Sequence, residues 1–155
     1  MTLPVYDTRP AEAPPALIQA LGLQTVRNVA YNQETRILLL EIAACDQLLK
    51  LKPDFPALLR SHSTINGVLV TAPSEDGKYD YYSRYFWPWS GTDEDPVTGG
   101  SQTFLAPYWS ERLGKKRMKS FQASARSGFM EVELAAGKVV IRGQAVIVLE
   151  GEIIL

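Results

Sequence analysis

The sequence predicts an α+β domain, a mostly antiparallel sheet wrapped around one central helix. Three observations predict it. Short β-branched or aromatic runs, such as "GVLVT" at 67–71 and "FMEVEL" at 129–134, recur along the chain between polar and glycine-containing turns, as in a sheet of short strands. Phe104, Leu105, Tyr108, Trp109 and Leu113 repeat at helical spacing and form one apolar face. The other side of that helix carries small residues, Gly99, Gly100, Ser101 and Ala106, and strands precede and follow it, so it belongs inside the sheet rather than on it.

The elements follow in order. Residues 1–15, with Pro4, Pro10, Pro14 and Pro15, read as an extended crossover or linker segment ahead of a lobe spanning 16–155. "PPALIQALG" at 14–22 fits a short helix with proline at its start and glycine at its end. Residues 26–31 and 36–42 read as a hairpin around "NQET". Short helices at 45–51 and 55–60 are separated by Lys52-Pro53-Asp54. A strand at 67–71 and the aromatic, alternating "YDYYSRYFW" at 79–87 flank the turn "APSEDGK". The central helix is read at 97–113, closed by Gly114 and the basic "KKR" that suits a helix C-terminus; Pro107 is its weak point. Strands at 118–124, 129–134, 138–142 and 145–150 complete the sheet.

Composition narrows the function. The chain has 155 residues, the size of one ordinary domain, and 46% hydrophobic residues, enough for a real core. Sixteen basic and 17 acidic residues give a net charge of −1, which points neither to nucleic acid nor to a membrane surface. The single cysteine, Cys45, allows no internal disulfide and fits a reducing compartment. The first fifteen residues show no basic and apolar signal-peptide pattern, and the apolar run 37–40 is too short to span a bilayer. A cytoplasmic location is expected.

The stretch "SGTDEDPVTGGSQ" at 90–102 carries the chemistry. On the helix reading, Pro96 sits harmlessly in the first turn and Asp95 is the N-cap. Val97, Thr98, Gly99 and Gly100 then offer free N–H groups at the positive helix end, where glycines let a ligand approach. That arrangement holds a carboxylate or phosphate. The same residues also serve as an ordinary capped helix start, and local sequence leaves both readings open.

Further motifs narrow the choice. Ser83-Arg84-Tyr85-Phe86, Glu94-Asp95-Pro96-Val97-Thr98-Gly99, Tyr108-Trp109, Leu113-Gly114-Lys115 and the stretch 122–128 occur in that order. Together they resemble the C-terminal half of the phenazine-biosynthesis-like (PhzF-like) isomerase family, which has the diaminopimelate epimerase-type fold. "LPVYDTRP" resembles that family's crossover between halves. The resemblance implies two similar lobes with the active site between them. It implies proton transfer on a small carboxylic acid, with no metal, nicotinamide or pyridoxal cofactor. A glutamate on the other lobe moves the proton. By the same resemblance Asp95 is the acid or hydrogen-bonding residue, and Thr98, Gly99, Gly100 and Ser101 form the anion cradle. Arg84 is either a substrate contact or the partner of Glu94 or Asp95.

Two departures bear on activity. The family pattern places serine, alanine and histidine where this chain has Gly100, Ser101 and Gln102. One step along a helix rotates a side chain by about 100°, so Ser101 does not replace the missing hydroxyl. The half that carries the glutamate is absent from this sequence. Two readings therefore stand. One is an isomerase lobe inactive without its partner lobe; the other is a non-catalytic binding or interaction domain that kept the fold. A bare face at 85–89 predicts a homo-oligomer or a partner supplying the missing lobe. His62 and Cys45 have no companions for a catalytic triad or metal site and read as structural, and the aromatic run at 79–89 reads as core and cleft packing.

Overall fold

The computed structural model describes residues 1–152. It opens with β1 (Thr2–Pro4) and β2 (Arg9–Pro10), then α1 (Pro15–Ala20) and the hairpin β3 (Asn28–Asn32) and β4 (Ile37–Glu41). The helices α2 (Cys45–Leu49) and α3 (Phe55–Arg60) lead to β5 (Gly67–Pro73), β6 (Tyr81–Trp87) and β7 (Thr92–Asp95). Then come α4 (Gln102–Leu113), β8 (Arg117–Gln122), β9 (Gly128–Ala135) and β10 (Lys138–Arg142). The strands form one sheet in the order β1-β10-β9-β8-β6-β5-β4-β3-β2, with β7 added to β6. Among the described strands, β4–β5 and β6–β8 pair in parallel and the rest antiparallel. A parallel pair needs a long crossover. Helices α2 and α3 supply one, and β7 with α4 supplies the other.

The sheet has a core on each face. Leu17, Leu21, Leu48 and Leu58 of the α1–α3 region cover one face through Leu38, Leu40, Val68, Val70 and Phe86. Phe104, Leu105, Tyr108 and Trp109 of α4 fill the other against Leu39, Leu69 and Tyr81. Strands β4 and β5 are covered on both sides, which is why "ILLL" and "GVLV" are continuous apolar runs rather than alternating ones. Each fully buried Leu or Phe stabilises the fold by about 1.5–3 kcal/mol.

Helix α4 lies inside, as the small and apolar residues around it require. Phe104, Leu105 and Ala106 are fully buried, and Tyr81 stacks on Trp109 at 5.6 Å. Pro107 cannot donate to Thr103 four residues earlier; the freed Thr103 carbonyl accepts the Tyr6 N–H at 2.9 Å instead. Gly114 ends the helix in the left-handed conformation, φ 65°.

The leading segment is extended and woven into the sheet: β1 pairs with β10 and β2 with β3, at opposite ends of the strand order, so residues 5–8 join the two edges across α4. Two expectations are corrected. The central helix begins at Gln102 rather than at 97, because residues 92–95 are taken by β7. Residues 145–150 form no strand; they lie exposed, because none of the described strands pairs with them. Among the described residues no helix is long and apolar enough to cross a membrane.

Candidate functional site

Strand β6 runs toward the N-terminal end of α4. A 3₁₀ turn at Pro88–Ser90 and a left-handed Gly91, φ 89°, send the chain back as β7. Strand β7 pairs with β6 so that Asp95 opposes Tyr85 and Glu94 opposes Phe86, with a register shift between Phe86 and Trp87. Neighbouring side chains on a strand point to opposite faces. Glu94 therefore emerges on the α1–α3 face, and Asp95 emerges with Tyr85 on the α4 face.

That alternation separates the expected site residues. Arg84 sits with Glu94 and away from Asp95. Its Nε and Nη2 donate to the two Glu94 oxygens at 2.8 Å each, Nη1 donates to the Leu51 carbonyl at 2.7 Å, and the guanidinium lies over the Phe86 ring. A bidentate pair of this kind, with side chains 11% and 15% exposed, leaves Arg84 nothing to offer a ligand on the α4 face. The substrate-contact reading of Arg84 is corrected to a clamp that ties β7 to the segment just after α2.

Asp95 is likewise not a helix cap. Its carboxylate accepts from the Thr98 hydroxyl within the loop that links β7 to α4. Gln122, fully buried at the end of β8, holds that loop: it accepts the Thr98 N–H at 2.8 Å and donates to the Asp95 carbonyl at 2.6 Å and the Thr98 hydroxyl at 3.0 Å. Val97 lies where any Cβ on residue 128 would fall, 2.4 Å from its Cγ2, so Gly128 is required for the loop to seat. Ser101 turns its hydroxyl back to the Thr98 carbonyl at 2.8 Å.

The helix start is open. Gln102, Thr103 and Phe104 donate to the carbonyls of Gly99, Gly100 and Ser101. The N–H groups of Gly99, Gly100 and Ser101 themselves find no acceptor among the described residues. Gly100 and Ser101, with Asp95 and Thr98, line a cavity of about 260 Å³. No atom lies within 4 Å of the Cβ position of Gly100. Gly99 is not in the cavity wall and packs beside Met1.

Two aromatic residues also line the wall, Tyr85 and Trp87, from the run that the sequence assigns to core and cleft packing. Tyr85 is buried against Gly67, whose missing Cβ would stand 2.5 Å from the ring. Burial, with the Asp95 carboxylate nearby, pushes its phenol up to about 12, so it stays a neutral donor. Trp87 lines the same cavity, and its buried indole N–H has no partner. A buried donor without a partner calls for an explanation, and an acceptor in the adjoining cavity is one. The sequence could have shown it: Trp87 is two residues from Tyr85 on an alternating strand.

Asp95 is the one acid among the described residues of that wall. No group of three His, Cys, Asp or Glu side chains that could hold a metal occurs among the described residues. A roomier recess of about 600 Å³ lies elsewhere, with Lys78, Lys115 and Lys119 on its rim. Lys115 there is paired with Asp80 at 2.6 Å. The bare aromatic patch expected at 85–89 is not found: Tyr85 and Phe86 are buried, and the Trp89 N–H donates to the His62 carbonyl at 2.7 Å. His62 accepts the Thr64 N–H, and partial burial pushes the Cys45 thiol up to about 11.

The phenazine biosynthesis-like protein family matches residues 2–151. The chain belongs to that family. Phenazine biosynthesis-like domain-containing protein 2 of Mus musculus is 38% identical over 97% of this chain and 57% of its own length. An uncharacterized isomerase of Halalkalibacterium halodurans is 40% identical over 92% of this chain and 52% of its own length. The crystal structure of a PhzF-family phenazine biosynthesis protein from Enterococcus faecalis superposes with a TM-score of 0.88 at 30% identity, over the whole of this chain and 57% of that one. The chain thus spans a little over half the length of these relatives. Its sheet around one buried helix is the diaminopimelate epimerase-like arrangement that the PhzF structures share.

Proposed function

We propose that this chain is the substrate-binding lobe of a phenazine biosynthesis-like isomerase acting by proton transfer on a small carboxylic acid, without metal or organic cofactor. The observation that supports it is a cavity where Asp95 and the bare N–H groups of Gly100 and Ser101 meet at the open end of α4. A carboxylate seated there accepts those N–H groups and gains about 0.3–2 kcal/mol from the helix dipole. Asp95, steadied by Thr98 and Gln122, is the acid that donates or accepts at the reacting atom. Neutral Tyr85 and the unpaired Trp87 N–H orient the rest of the ligand. The names of the H. halodurans and Pseudomonas aeruginosa relatives, both uncharacterized isomerases, agree with this reaction class.

Proton transfer at carbon needs a positioned base within about 3 Å of the proton and a site that excludes water. Asp95 has no second acid or base beside it in the cavity wall, since Glu94 is tied to Arg84 on the far face and Asp93 is exposed. Lack of a positioned base costs about 10²–10⁴-fold in rate. The other lobe supplies that base and closes the cavity from water. Gly100, where the family pattern has serine, favours a second reading, a binding domain that holds the anion without turning it over.

The test is solvent deuterium incorporation into a panel of small amino and unsaturated acids. The chain alone incorporates none; joined to a complementary lobe it incorporates deuterium, and Asp95→Asn abolishes this. Incorporation by the chain alone that disappears in Asp95→Asn contradicts the need for a second lobe. No incorporation by the two-lobed form supports the binding-domain reading.

A further inference from the structure

A second cavity lies away from the Asp95 loop. Its volume is about 300 Å³, at the small end of cavities that take a ligand and far above the room one water needs. Residues 6–10, from the segment that crosses α4, line one side of it; Asn28 and Ala30 of β3 and the stretch of α4 from Phe104 to Arg112 line the rest. Among the described residues it shares no lining with the Asp95 cavity. Its walls are already fixed. The Tyr6 N–H donates to the Thr103 carbonyl, the Asn32 side-chain amide donates to the Asp7 carbonyl at 2.8 Å, and Arg9 pairs with Tyr31 across β2 and β3. A ligand there meets a preformed site, and little ordering opposes its binding.

The charges on those walls are divided. Arg112 is held by three contacts: Nε donates to Glu41 at 3.1 Å, Nη1 donates to the Tyr108 carbonyl at 3.2 Å, and the guanidinium lies 3.5 Å over the Tyr108 ring. The Tyr108 hydroxyl donates to the same Glu41 oxygen at 2.6 Å and accepts from the Asn28 side chain at 2.9 Å. This network orients the guanidinium and leaves Nη2 without an acceptor among the described residues. A planar guanidinium so fixed suits a carboxylate. Two acids line the same cavity, Asp7 on the crossing segment and Glu111 on α4. Neither has a cationic partner among the described residues. Arg112 is taken by Glu41, while Arg9 donates to Gln33 at 2.6 Å and lies over the Tyr31 ring. A lone anion gains from Arg112 but meets Asp7 and Glu111; a lone cation gains from the acids but meets two arginines. A small molecule that carries both charges finds a partner for each.

We propose that this cavity binds a small zwitterion, a free α-amino acid, with its carboxylate on Arg112 and its ammonium on Asp7 and Glu111. The site is separate from the Asp95 cavity and stands or falls independently of the isomerase reading. Its size, with apolar surface from Ala30, Phe104 and Pro107, suits a short neutral side chain.

Amide NMR of the full chain, titrated at neutral pH with L-alanine, acetate and ethylamine, tests it. The first probe carries both charges and the others carry one each. L-Alanine should shift the amides of Tyr6–Arg9, Asn28 and Tyr108–Arg112 to saturation, and acetate and ethylamine should bind there about fivefold more weakly or worse. Glu111→Gln and Asp7→Asn should each weaken alanine binding by about fivefold, the upper range for one exposed ion pair. Together they should remove the preference for alanine over acetate. Both side chains are exposed and unpaired, so neither variant threatens the fold. The absence of a saturable shift with alanine overturns the proposal. So does acetate or ethylamine binding as tightly as alanine, which makes this a site for a single charge. Alanine shifts confined to Gly100 and Ser101 put the amino acid in the Asp95 cavity and overturn it too, as do variants that bind alanine unchanged.

Discussion

Gln122 should be the residue on which the cradle depends, and Gln122→Ala tests it. The side chain is fully buried and makes three hydrogen bonds to the loop, at 2.8, 2.6 and 3.0 Å. Truncation leaves the Thr98 N–H and the Asp95 carbonyl without partners. Each unpaired buried group costs about 1–3 kcal/mol. Thr98 and Asp95 are half-buried, so water recovers part of that cost, and a loss of about 2–4 kcal/mol is expected. Urea denaturation should show a lower midpoint at unchanged slope. Amide resonances of residues 97–101 should move while those of β4 and β5 stay in place, and the loop should lose its affinity for anions. A loss below about 0.5 kcal/mol, the range of an ordinary surface substitution, with the Thr98 and Asp95 resonances unmoved, would refute the claim that Gln122 holds the cradle.

Arg84→Ala should destabilise by about 3–5 kcal/mol, because it strands Glu94 in a poorly solvated site; per folded molecule, anion affinity measured by NMR should not change, since Arg84 lies on the other face. Gly100→Ser should be tolerated, as nothing lies within 4 Å of its Cβ position, and should tighten carboxylate binding by restoring a hydroxyl where the family pattern has one; an unchanged dissociation constant in the same titration counts against it. The Asp76 carboxyl is lowered from 3.8 to about 2, first by the Tyr82 hydroxyl, then by Ser74 and the Lys78 N–H. A depressed folded-state value means that this group stabilises above the unfolded value and loses the effect as pH falls through the folded one. The stability gap between the protein and Asp76→Asn should therefore hold above about pH 4 and close toward about pH 2 in acid titrations followed by circular dichroism.

The parts of the fold legible in sequence are those whose signal is local. Phe104, Leu105, Tyr108 and Trp109 announce a buried helix by spacing alone, and the runs in β4 and β5 announce strands covered on both faces. The start of α4 was not legible. Asp95-Pro96 has the local chemistry of a capped helix start, but Asp95 is claimed by Tyr85 across the β6–β7 pair, a contact that propensity does not encode. Once β7 is a strand, the separation of Glu94 from Asp95 follows from alternation, and with it the loss of Arg84 from the site. Strands β1 and β2 are too short to carry a pattern, and each is made by a partner far along the chain, Val139 for Leu3 and Tyr31 for Arg9. Residues 145–150 show the converse. Their strand pattern is strong, but a strand needs an edge to pair with, and pattern does not supply one.

The central claim is that the loop from Asp95 to Ser101 is an anion-holding half-site at the open end of α4. Titration of the chain with succinate, followed by amide NMR, tests it most directly. The account predicts that Gly100 and Ser101 shift first, with weak, millimolar affinity, and that Asp95→Asn tightens binding by removing a like charge. Shifts confined to the basic recess around Lys78, Lys115 and Lys119, with Gly100 and Ser101 unmoved, would contradict it.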